Sequence, residues 1–301
     1  MLDYGGYWRA AGELKAREGI MKFVAKSIAL AALVLVTTGP SYAQPLRSTS
    51  IPSSLADDEK RLMPEVMNEF YGTFDREKAC WISKHEDDGH EDTYCMKPIR
   101  LDVRSSSGRR MLFIVAGGQK LEEGIPAEYH AATGVFGLIV LTPRGAHLGA
   151  VATNNLYEGF ETYGRYPRPE SVTIHRLGPN GAYGWLAELG DQHSGHYIRL
   201  VQVYGVIGNS VKLLTTVTSL FSTCGQQPAS CSTLSVKYAF QRQSSASSFY
   251  PIILRVSGIH HTRPFRGHYR LVFDKSSFTY SFPKNMPDEI KPLAPRNEIK
   301  P

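Results

Sequence analysis

From Ile99 onward, apolar and polar residues alternate with a period of two, and the runs are broken by turn-forming residues. Ile99, Leu101 and Val103 alternate with Arg100, Asp102 and Arg104, after which SSSGRR turns the chain into MLFIVAGG. Successive side chains of a strand point to opposite faces, so this period specifies half-buried strands and the intervening turns make them hairpins. VFGLIVLT and HLGAVAT repeat the pattern around Pro143 and Gly145, and SVTIHRL and AYGWLAEL around Pro179-Asn180-Gly181. Two long strands meet at Gly208-Asn209, and TLSVKYAF, YPIILRVSGI, YRLVF and FTYSF follow, with DKSS between the last two. No helical period separates the strands, which excludes a parallel sheet built from βαβ units. The expectation is a mainly β protein: an antiparallel β-sandwich, barrel or partial propeller of about a dozen strands. No fixed-period repeat is visible, which weighs against the propeller.

One helix is expected before the strands. Ser54 and Asp57 have capping-box spacing, and Leu62, Val66, Met67, Phe70 and Tyr71 fall on one face. Pro64 either starts or bends this helix, and Gly72 ends it.

Residues 1–20 read as an upstream extension and 21–43 as a secretory leader. Lys22 and Lys26 form its basic end, SIALAALVLVTT its apolar run, and Ser41-Tyr42-Ala43 a cleavage site. The apolar run is shorter than the roughly 20 residues a spanning helix needs, so no transmembrane segment is expected after cleavage. Residues 44–54, with Pro45 and Pro52, read as a flexible linker, 55–282 as a single β-rich domain including the helix, and 283–301 as an irregular tail.

All four cysteines follow the leader. They allow three pairings, and the entropy of loop closure favours the local ones, Cys80–Cys95 and Cys224–Cys231. C-x-x-C pairs of the kind that bind zinc are absent, so disulfides in a periplasmic or secreted protein are expected. Charge is asymmetric: residues 44–192 carry 16 basic and 21 acidic side chains, net −5, whereas 193–301 carry 13 basic and 4 acidic, net +9. This suggests an acidic and a basic face, a pattern suited to docking a charged partner or simply to a solvated surface with no partner.

Four segments concentrate chemistry. In CWISKHEDDGHEDTYC, His85, Asp87, Asp88, His90 and Asp92 offer ligands to a divalent ion, but adjacent ligands splay outward and the EF-hand spacing is absent. That favours a charged turn, stapled by a disulfide and available for docking. In ELGDQHSGHY, Glu188, Asp191 and His193 suggest a catalytic acid and base, although Gly190, Ser194 and Gly195 mark the segment as a turn between strands. In YEGFETYGRYPRPE, the residues Tyr157, Phe160, Tyr163, Arg165, Tyr166 and Arg168 have the composition of a recognition surface, or of a loop capping the end of the β core. In RVSGIHHTRPFRGHYR, His260, His261, Arg263 and Arg266 gather around a turn and suit an anionic ligand, or form a solvated hairpin tip.

No phosphate-binding loop, dinucleotide fingerprint or H-E-x-x-H motif occurs, and no cofactor is expected beyond a divalent metal. The leading expectation is therefore an exported, non-catalytic binding protein of the cell envelope, of the inhibitor or immunity type. Its partner would be an envelope protein or glycan rather than nucleic acid. The alternatives are an envelope hydrolase using Glu188, Asp191 and His193, and a metal- or anion-binding carrier. Oligomeric state is not encoded in any of these features.

Overall fold

The computed structural model describes residues 47–87, 90–106, 108–129, 132–160, 164–193, 196–224, 231–242 and 247–291. At 87, 90, 158–160, 191–193 and 196 it describes the backbone alone. All belong to the unit Gln44–Pro301, so the extension and leader expected at 1–20 and 21–43 lie outside the described residues.

The strand of residues Arg109–Glu122 (β5) shows why the chain stacks in layers. Its even positions Leu112, Ile114 and Ala116 enter one buried cluster, while Phe113 and Val115 enter another. Both faces are apolar, so both must be covered. β5 lies within an antiparallel meander of β2 (Thr73–Asp75), β3 (Cys80–Asp87), β4 (His90–Ser106), β7 (Gly134–Arg144) and β8 (His147–Phe160), and the short β6 (Ile125–Pro126) pairs with its end. β1 (Arg47–Pro52) pairs with β8, so the stretch expected to be a flexible linker is an edge strand, with Thr49 and Ile51 buried. Two inward side chains are too short a pattern to stand out against the polar RSTS.

The first face is covered by the helix α1 (Glu59–Tyr71), through Leu62, Val66, Met67, Phe70 and Tyr71. Each such side chain contributes about 1.5–3 kcal/mol on full burial. The cap is Asp58, whose side chain accepts from the Arg61 N–H at 3.2 Å, and not Ser54, because residues Ser53–Asp57 form a 3-10 turn ahead of the helix. Pro64 lies inside the helix on its exposed side, so the carbonyl it leaves unpaired can be hydrated. Asn68 Oδ1 accepts from Trp81 Nε1 at 2.7 Å and ties the helix to β3.

The second face is covered by β9 (Val172–Arg176), β10 (Tyr183–His193), β11 (His196–Ile207) and β12 (Ser210–Ser222), which present Trp185, Ala187 and Tyr204 to Phe113, Phe136 and Val140. Their reverse side carries Leu186, Val201, Val203, Leu214 and Val217. This side is closed in turn by β13 (Thr233–Phe240), β14 (Ile252–His260), β15 (Arg263–Asp274) and β16 (Thr279–Ser281). β12 joins the layers: it pairs with β11 along its length, with β8 by one parallel bridge, Ser210↔Thr153, and with β13 at Leu220–Ser222. Among the described residues, the result is a mainly β, mostly antiparallel sheet of sixteen strands folded into layers, with one α-helix ahead of most of them.

Both expected disulfides are present, Cys80–Cys95 across the β3–β4 hairpin and Cys224–Cys231 between β12 and β13. Among the described residues, no helix is long and apolar enough to cross a membrane. The tail is more ordered than expected: Met286 and Ile290 are buried in the third cluster, and Asp288–Ile290 forms a 3-10 turn.

Candidate functional site

The tip of the β3–β4 hairpin places His85 opposite Asp92, Glu86 opposite Glu91 and Asp87 opposite His90. Asp88 and the side chains at 87 and 90 lie outside the described residues. Two of the described acids there are drawn toward lysines: Glu91 toward Lys84 at 2.7 Å and Asp92 toward Lys120 at 2.8 Å. Among the described residues, His85 belongs to no group of three convergent His, Cys, Asp or Glu side chains, and the one such group lies elsewhere.

On β10, Glu188 pairs with Val201, Asp191 with Ile198 and His193 with His196, without a bulge. An uninterrupted strand puts Glu188 at a position of opposite parity to Asp191 and His193, so the three positions do not share one face. Side chains at 191–193 are outside the description.

The aromatic segment folds back on the core. Tyr157 donates its hydroxyl to the Val211 carbonyl at 2.6 Å and packs 5.2 Å from Phe136 and 4.7 Å from Tyr204, centroid to centroid. Tyr166 lies over Gly117, and the Arg165 carbonyl lies where a side chain at Gly134 would stand. Arg100 donates to the Pro169 carbonyl at 3.0 Å. Arg165 and Arg168 stay exposed, Arg168 beside Glu170 at 3.5 Å. Phe160's side chain and Tyr163 are outside the described residues. An open cleft of about 780 Å³ between the start of α1 and β4 is lined by side chains of both charges, among them Asp57, Glu59, Lys60 and Arg100.

The C-terminal sheet is different. Lys237, Arg255 and His268 are direct neighbours across β13, β14 and β15, and all are exposed. In the adjacent rows Arg266 lies opposite Ser257, and Arg270 opposite Ile253. None of the residues 235–239, 253–257 or 266–270 is acidic. Alternation explains the face: Val236, Leu254, Val256, Tyr269 and Leu271 point inward, which sends their polar neighbours outward.

At the tip of the same hairpin, His260 Nε2 lies 2.9 Å from Glu289 Oε1, and His261 Nε2 lies 3.6 Å from the same oxygen. Burial alone would push the Glu289 carboxyl up, but hydrogen bonds from His260 and its own backbone and the neighbouring imidazoles hold it below the ordinary carboxylate range. Glu289 sits in the proline-rich tail and carried no sequence signal toward His260. The one hint was an acidic pair set between two apolar residues, in MPDEI.

Fold and face together define a layered antiparallel β protein with a disulfide in each half and a basic outer sheet. Compared with family models, curated proteins and solved structures, the chain finds no match.

Proposed function

We propose that this is an exported, non-catalytic binding protein of the cell envelope, and that its β13–β14–β15 face takes up an anionic glycan. The observation that carries the reading is the row Lys237–Arg255–His268, flanked by Arg266 and Arg270 with no acid among them. Like charges directly opposite one another destabilise a sheet, so the row persists at a cost that a bound polyanion would relieve. Neighbouring cations stand about 5 Å apart across strands and about 7 Å along them, which suits many weak contacts with a charged polymer better than one contact with a small anion. Two disulfides and a secretory-type leader support an oxidising compartment.

The test is retention on immobilised polygalacturonate at two salt concentrations, for the wild type and for a K237E/R255E variant. The proposal expects wild-type binding to weaken steeply with salt and the variant to lose about tenfold or more in affinity. Binding that is salt-insensitive, or equal in the variant, overturns it. So does capture of an envelope protein that is unaffected by K237E/R255E.

A further inference from the structure

We propose that His260, His261 and Glu289 bind one divalent transition-metal ion, zinc in the first instance, which clips the C-terminal segment to the tip of the β14–β15 hairpin. This inference stands independently of glycan binding.

Geometry comes first. Glu289 Oε1 is 2.9 Å from His260 Nε2 and 3.6 Å from His261 Nε2, and one ligand atom from each residue lies within 4.8 Å of the others. An ion held tetrahedrally at about 2.0–2.1 Å from nitrogen and oxygen keeps its ligand atoms about 3.3 Å apart. The two separations from Glu289 bracket that value and the two imidazole nitrogens lie within 4.8 Å of each other, so side-chain rotation is enough to converge all three on one ion.

A simple hydrogen bond would need only one imidazole. Here both turn toward the same carboxylate oxygen, and their ring centroids are 4.2 Å apart. Adjacent side chains on a strand would point to opposite faces. What brings them together is the two-residue turn His261-Thr262, where φ is 45° and 68°. A hairpin turn with two positive φ values favours Asn-Gly, and a histidine and a β-branched threonine in its place hold the backbone under strain. Strain of this kind, paired with converging ligands, is the mark of a site whose geometry is held by its surroundings.

Those surroundings are visible. Ser232 Oγ accepts from the His261 backbone N–H at 3.0 Å, next to Cys231 of the second disulfide. Glu289 is fixed between buried Met286 and Ile290. The ring of Phe265 meets His260 edge-on, with centroids 5.6 Å apart. Two imidazoles and one carboxylate suit Zn²⁺, Ni²⁺ or Cu²⁺, whereas Ca²⁺ and Mg²⁺ require more oxygen ligands. Three protein ligands leave a fourth position, on the side of the exposed His261, for water or an acidic group.

The experiment uses the purified protein with disulfides intact and no appended histidine tag. Zinc is titrated by calorimetry, and cobalt serves as a spectroscopic probe of tetrahedral coordination. The expected result is saturation at one equivalent, a Tm that rises with free zinc, and no response to calcium. E289Q and H261N should each weaken binding about tenfold or more. Both positions tolerate the change, since glutamine keeps the shape and asparagine accepts a left-handed backbone. H85N should bind as the wild type does. Absence of saturable binding near one equivalent, or unchanged affinity in both E289Q and H261N, overturns the proposal.

Discussion

The hydroxyl of Tyr71, at the end of α1, lies 1.9 Å from where a Cβ on Gly137 would stand in the middle of β7. Glycine at this position is what lets the helix settle on the sheet. Gly137→Ala is expected to destabilise the fold by about 2–3 kcal/mol, because the new methyl also meets the Asn155 carbonyl at 2.5 Å. Tyr71 is fully buried, its hydroxyl has no hydrogen-bond partner among the described residues, and burial pushes its pKa up. Tyr71→Phe should therefore be neutral or stabilising by up to about 1 kcal/mol, and it should rescue Gly137→Ala only in part, since the close approach to the Asn155 carbonyl remains. Urea denaturation of the two single variants and the double variant checks all three statements.

Asp102 is the second position with a sharp expectation. Its buried carboxylate accepts from Arg100 Nε at 2.5 Å and from Arg104 Nη2 at 3.3 Å. The hydrogen bond to Asp102 holds the Arg100 guanidinium above its usual pKa. Because Arg100 in turn holds the Pro169 carbonyl, Asp102→Ala should cost about 2–3 kcal/mol and expose the loop at 164–170 to protease. Arg104→Ala, at a half-exposed partner, should cost less than about 1 kcal/mol. Equal losses in the two variants would show that the network does not act through Arg100.

Two half-buried aspartates at turns contribute to the acid limb of stability. Asp274 accepts from the Ser276 N–H at 2.9 Å and from the Ser276 and Ser277 hydroxyls, and Asp75 accepts from the Lys78 and Glu77 N–H groups. The backbone bond from Ser276 leads in holding Asp274 below the ordinary carboxylate range, and the one from Lys78 leads for Asp75. A depressed folded pKa means that the unfolded chain takes up the proton first. The stabilisation is thus complete above the unfolded value near pH 4 and is lost as pH falls through the folded values. Thermal melts between pH 5 and pH 2.5 should show a shallower decline for the D75N/D274N variant than for the wild type.

Much of this was legible in the sequence, and the exceptions share a cause. The hairpins of β4–β5, β7–β8 and β10–β11 follow from alternation and turn chemistry that are local along the chain. Both disulfides close short separations and were legible for the same reason. β1 was not, because its partner β8 lies about a hundred residues away, as in the Thr49 hydroxyl bond to the Leu148 carbonyl. The aromatic segment exposed its composition but not its direction, and Tyr157 turns inward to partners distant in sequence, the rings of Phe136 and Tyr204 and the Val211 carbonyl. Glu289 reaches His260 across 29 positions of sequence, which no spacing rule anticipates.

The limited pairing of β13 with β12 and of β15 with β16 has a further consequence. Beyond Ser235, β13 has no ladder partner on its outer side among the described residues, and β15 has none before Val272. Such open backbone edges invite another copy of the chain to add a strand, and lysine or arginine along an edge is a common deterrent. Lys237, Arg266 and Arg270 stand on these two edge strands. Replacing them with leucine or valine would remove a guard against self-association as well as positive charge, and any loss of function would then be confounded by aggregation. Glutamate reverses the charge and still repels a second copy, so charge reversal is the substitution that keeps solubility and recognition separable.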